Sequence, residues 1–82
     1  MPLENRIKAL VAVGAAVSAN CQPCLESTLA LAHESGAEPG EIAEAIEVGK
    51  MIRRGAASKM DKFAAGLNLA EPATAQAGCG CQ

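Results

Sequence analysis

The chain has 82 residues, half of them apolar and 20% charged, with a formal net charge of −2. A chain of that length makes one small domain that buries only roughly 60% of its unfolded surface, and its near-neutral charge gives no reason to expect a nucleic-acid partner. Eighteen alanines and a single aromatic, Phe63, leave a thin core, so an obligate homo-oligomer is expected to supplement it.

The chain reads as helices throughout. Pro2 suits a first helical position. Leu3, Ile7, Leu10, Val11, Gly14 and Val17 recur at helical spacing and predict a helix over 3–19. Asn20 reads as the N-cap of a second helix, with Pro23 in its first turn, where a missing N–H costs nothing. Leu25, Leu29 and Ala32 continue one face of that helix, and Gly36 closes it. After a turn at 37–40, a third helix is expected over 40–54, with Ile42, Ala45, Ile46, Gly49 and Ile52 facing inward. Arg53 and Arg54 suit its negative end. Gly55 permits a break, and a fourth helix over 56–67 would align Met60, Phe63, Ala64 and Leu67.

Two further patterns bear on surroundings. Glu34, Glu38, Glu41, Glu44 and Glu47 form an acidic stretch, followed by a basic one at Lys50, Arg53, Arg54, Lys59 and Lys62, broken by Asp61. These read as solvated helix faces and subunit contacts, with a docking surface for an acidic partner as the alternative. Charges at positions 4, 6 and 8 stand where a signal peptide needs an apolar run. The apolar stretch Ala9–Ala19 is too short to span a bilayer. A cytoplasmic location without membrane contact is therefore expected.

From residue 68 the helical stripe stops. The expected organisation is a helical domain over 1–67 and a flexible tail over 68–82 that carries Cys79-Gly80-Cys81. The stretch from Leu67 to Cys79 spans at most ~40 Å when extended, enough to bring the tail thiols to the first cysteine pair.

That first pair, Cys21-Gln-Pro-Cys24, is the main chemical signal. Thiols at i and i+3 at a helix start can close a disulfide on each other, and the free N–H groups and dipole of the helix end stabilise a thiolate. Cys21 sits at the helix mouth and Cys24 one turn inside. In thiol exchange the exposed, low-pKa sulfur attacks and the other resolves, which gives attack to Cys21.

An apolar helix, then Cys-x-x-Cys opening a second helix, then Gly36-Ala37 twelve residues after Cys24, then Glu41-Ile42-Ala43-Glu44-Ala45-Ile46: this pattern resembles the alkylhydroperoxidase D and carboxymuconolactone decarboxylase-like family. The segments ALVAVGAAVSANCQPC and SGAEPGEIAEAIEVG carry the likeness, which runs from Lys8 to about Leu67. It implies an all-α fold of about four helices that assembles as trimers or hexamers. It also implies a proton relay, with a glutamate twelve residues before the first cysteine and a histidine four after the second. Ala9 and Thr28 occupy those positions here. His33 lies nine residues past Cys24, roughly 13 Å along a straight helix and on its opposite side. The family's peroxide chemistry gives attack to the second cysteine, here Cys24, so the order of attack stays open.

Three functions fit this reading. The first is a thiol–disulfide oxidoreductase with Cys21 and Cys24 as catalytic residues, a thiol electron donor, no cofactor and at most weak peroxidase activity. The second is a binder of a soft metal or metalloid through Cys21, Cys24, Cys79 and Cys81, since thiolates suit Cu(I), Zn(II), Hg(II) or As(III). The third is an inert oligomeric scaffold.

Overall fold

In the computed structural model, which describes residues 2–67, three α-helices follow one another: α1 (Asn5–Ser18), α2 (Gln22–Glu34) and α3 (Pro39–Ala65). The described residues contain no strand, in line with the all-α expectation. The expected tail, with Cys79 and Cys81, lies outside the described residues.

One helix fewer than expected is present, because Gly55 does not break the chain. It lies inside the 27-residue α3. Glycine lowers helix stability by about 1 kcal/mol but does not remove a backbone donor as proline does. Lys, Arg, Met and Ala on both sides favour continuation. Arg53 and Arg54 are thus mid-helix residues, and Lys62 is the cation of the last turn.

α1 packs against both α2 and α3, which have little contact with each other. Its buried residues, Ala9, Val13, Ala16 and Val17, recur at the spacing of a helix face. Of these, Ala9 and Val13 form one cluster with Ala32, Ala37 and Ile42, and Leu10, Leu25, Leu29, Ala45 and Ile46 pack around it. Val13 is the largest fully buried side chain, so the core is close-packed but contributes modest burial. Ile52, expected to face inward, is instead 57% exposed, and Phe63 is 65% exposed. Among the described residues, Met60, Phe63 and Leu67 leave a largely exposed apolar face.

Small residues set the α1–α3 distance. A Cβ added at Gly49 would stand 2.5 Å from the Gly14 carbonyl oxygen and 2.8 Å from Val17 Cβ. At this point the two backbones nearly touch, and only glycine fits.

Both interhelical corners use the same device. At the end of α1, Asn20 takes a left-handed conformation (φ 57°), its N–H donates to Val17 O at 3.1 Å, and the Cys21 N–H donates to Ala16 O at 3.0 Å. At the end of α2, Gly36 (φ 88°) donates to His33 O at 3.1 Å and Ala37 to Ala32 O at 3.0 Å. These are Schellman motifs, which satisfy the last carbonyls of a helix and reverse the chain. Gly36 closes α2 as expected. Asn20, by contrast, ends α1 rather than capping α2. A short polar side chain tolerates this backbone conformation better than most non-glycine residues.

α3 begins at a cluster of charge. The Glu38 N–H donates to Glu41 Oε1 at 3.0 Å, and Arg6 Nη1 from α1 donates to Glu41 Oε2. The backbone hydrogen bond from Glu38, together with Arg6, holds the Glu41 carboxyl below its ordinary value of 4.5.

Candidate functional site

The first Schellman corner delivers Cys21 directly into the next helix. Its N–H closes α1, while its side chain caps α2: the Cys24 N–H donates to Cys21 Sγ at 3.3 Å. The capping sulfur takes the place that a serine or aspartate oxygen usually fills. Pro23 occupies the first turn, as expected.

Cys21 and Cys24 are joined as a disulfide, with their Cα atoms 5.2 Å apart. Cys21 is half-buried and Cys24 exposed. Once the bond is reduced, a thiolate at Cys21 faces the N–H of Cys24 and the positive end of α2. Both stabilise the anion over the thiol.

Because α2 and α3 diverge across α1, an open cleft of about 270 Å³ lies between them. Ala16 and Val17 of α1 form its floor. Cys21, Gln22 and Leu25 line one wall, and Ile46, Lys50 and Arg53 the other, with Asn20 at the corner. Cys24 is not among the lining residues. Arg53 Nη1 donates to Val17 O at 3.3 Å and to Asn20 Oδ1 at 3.1 Å, which fixes its guanidinium to the corner that carries Cys21.

Sequence reasoning singled out Cys21 and Cys24 and missed Asn20, Lys50 and Arg53. The two cations read as part of a basic stretch. Arg53 does stand one turn after Gly49 and two after Ile46, a spacing that puts it on the α1-facing side.

The relay positions hold nothing that could carry a proton to the site. Ala9 has no exposed surface and belongs to the core. Thr28 directs its hydroxyl back to Leu25 O at 3.1 Å. His33 is exposed in the last turn of α2. Among the described residues, no group of three or more His, Cys, Asp or Glu side chains is placed to hold a metal ion. Cys79 and Cys81 of the alternative ligand set lie outside those residues.

The model of the carboxymuconolactone decarboxylase family matches residues 2–71. The chain belongs to that family. No curated relative and no solved structure matches it significantly. Family membership and a Cys-x-x-Cys pair joined at a helix start are compatible with a redox role. Among the described residues, no helix is long and apolar enough to cross a membrane.

Proposed function

We propose that this family member is a cytoplasmic thiol–disulfide oxidoreductase in which Cys21 attacks and Cys24 resolves. The observation that carries the proposal is the Cys21–Cys24 disulfide whose first sulfur caps α2 and lines the cleft. The reduced Cys21 thiolate attacks one sulfur of a substrate disulfide and expels the other as a thiolate, which solvent protonates. Cys24, deprotonated in turn, attacks Cys21 Sγ in the mixed disulfide, closes the internal bond and releases the second substrate thiol. Two electrons have moved from protein to substrate. An external dithiol restores the pair by the same steps in reverse.

Peroxide is a poorer substrate in this reading. Attack by a thiolate on a peroxide yields a sulfenate and an alkoxide or hydroxide that must be protonated. A positioned acid contributes about 10²–10⁴-fold to such a step, and Ala9 and Thr28 supply none.

The proposal includes assembly as a homo-oligomer, a trimer or hexamer. Among the described residues, nine large apolar side chains are 48–65% exposed, among them Val11, Val48 and Ile52 beside the Gly14–Gly49 crossing and Phe63 further along α3. Copies of the same chain would cover them.

Reduced, reductant-free protein mixed with hydroxyethyl disulfide tests the chemistry. Peptide mapping should find a Cys21–Cys24 bond in the wild type, a trapped mixed disulfide on Cys21 in Cys24→Ser, and no reaction at Cys24 in Cys21→Ser. A Cys21 that reacts no faster than free dithiothreitol at the same pH would end the proposal.

A further inference from the structure

The wall of the cleft opposite Cys21 carries two cations, and we infer that the site prefers small disulfides bearing a carboxylate, whose negative group Lys50 and Arg53 hold while Cys21 attacks the sulfur. The inference rests on the proposed oxidoreductase reading and adds its substrate class.

Three observations converge on it. The first is charge. Lys50 and Arg53 line the cleft, and among the described residues no acidic side chain does. Both acceptors of the Arg53 Nη1 group are neutral, the Val17 carbonyl and the Asn20 amide oxygen. Among the described residues no carboxylate pairs with Arg53, so its charge is left uncompensated. Lys50 shares its charge with Glu47 at 3.3 Å, but that pair is exposed and Glu47 does not line the cleft. Arg53 is therefore the stronger anchor and Lys50 the more mobile one.

The second is placement. Arg53 is bonded to Asn20, the residue immediately before Cys21. A guanidinium so fixed is pre-organised, and its fork suits a carboxylate. The tether costs an incoming anion little side-chain entropy.

The third is size. A cleft of about 270 Å³ lies just below the usual range of small-ligand pockets. It admits a compact disulfide lying along the apolar floor of Ala16 and Val17, with one end toward the cations. A folded protein partner would reach only its rim.

The physical need is specific. A Cys21 thiolate repels an anionic disulfide, so an unassisted dithiol disfavours such substrates. Nearby cations reverse that preference, by about tenfold or more at low ionic strength and less as salt screens them. The covalent step is unchanged. A substrate S–S bond breaks, Cys21–Cys24 forms, and two electrons pass to two carboxylate-bearing thiols.

Single-turnover oxidation of the reduced full chain by dithiodipropionate (anionic), hydroxyethyl disulfide (neutral) and cystamine (cationic) tests the inference. Each rate is divided by the rate of the same disulfide with dithiothreitol, which removes differences in intrinsic reactivity. The expected order is anionic, then neutral, then cationic, with an anionic-to-cationic ratio of about tenfold that collapses toward one in molar salt. Lys50→Gln should lower that ratio, and Arg53→Gln, which removes the stronger anchor, should lower it further. Lys50→Gln is the milder variant, since Lys50 makes no contact with α1 or α2 in the hydrogen-bond network. Equal normalised rates for all three disulfides in the wild type would overturn the inference and leave the oxidoreductase reading standing. No Cys21–Cys24 bond formed with any of them would overturn both.

Discussion

Two glycines of α3, six residues apart, should respond to alanine in opposite directions. At Gly49 a new Cβ would lie 2.5 Å from the Gly14 carbonyl oxygen and 2.8 Å from Val17 Cβ. Neither neighbour is the free end of a flexible side chain, so the helices themselves must part. Overpacking of this kind costs about 1–3 kcal/mol, and backbone against backbone belongs at the upper end. Helix propensity returns about 1 kcal/mol, which leaves a net loss of about 2 kcal/mol for Gly49→Ala. At Gly55 nothing lies within 4 Å of the added carbon, so only the propensity gain of about 1 kcal/mol remains. For a domain of this size each kcal/mol moves the melting temperature by about 4–8 °C. Circular dichroism melts at one fixed protein concentration should therefore show Gly49→Ala well below the wild type and Gly55→Ala above it. The fixed concentration matters because the proposed assembly would couple stability to dilution. Equal stability of the two variants would refute the close crossing. A loss at Gly55 would show that α3 does bend there.

Glu41 stabilises the fold as a carboxylate, because the Glu38 N–H and Arg6 lower its pKa in the folded state. Its contribution is complete above the ordinary value of 4.5 and is lost as pH falls through the lower folded value. Urea titrations from pH 6 downward should thus show a smaller acid-induced loss in Glu41→Gln than in the wild type; identical acid limbs would remove Glu41 from the account. Asn20→Val should cost about 1–2 kcal/mol more than Asn20→Gly in the same titrations, since a β-branched residue resists the left-handed corner while both variants lose the Arg53 contact. Thr28→His alone should leave peroxide turnover within about twofold of the wild type, because a histidine without the partner glutamate completes no relay; a large gain would show that one group suffices.

The helical class, the Cys-x-x-Cys pair and the Gly36 corner were legible because each rests on a local rule: periodicity, spacing, or a backbone angle that glycine alone adopts freely. The number of helices was not. A glycine inside a helical pattern marks where a break is cheap, and tertiary structure decides whether it occurs. Asn20 misled for a related reason. Asparagine serves both the start of a helix and the left-handed residue after one, and with α1 and α2 abutting the two roles fall on adjacent positions. The cleft was illegible because its cations come from a helix more than twenty-five residues away in sequence, brought to Cys21 by a crossing that depends on Gly14 and Gly49.

The small-residue core bears on how the proposed redox pair could work without the relay that the family resemblance implies. A relay glutamate at position 9 would replace the fully buried Ala9 and need room among Val13, Ala32 and Ala37. This core gains its stability from small residues in close contact, and a long acidic side chain at its centre would force the helices apart or bury a charge. Disulfide exchange makes no such demand. Its leaving group is a thiolate, which departs near neutral pH without a proton donor, whereas the hydroxide or alkoxide lost from a peroxide does not. The helix end that stabilises Cys21 and the arginine fixed beside it supply what thiolate chemistry requires, and both are compatible with a tightly packed alanine core.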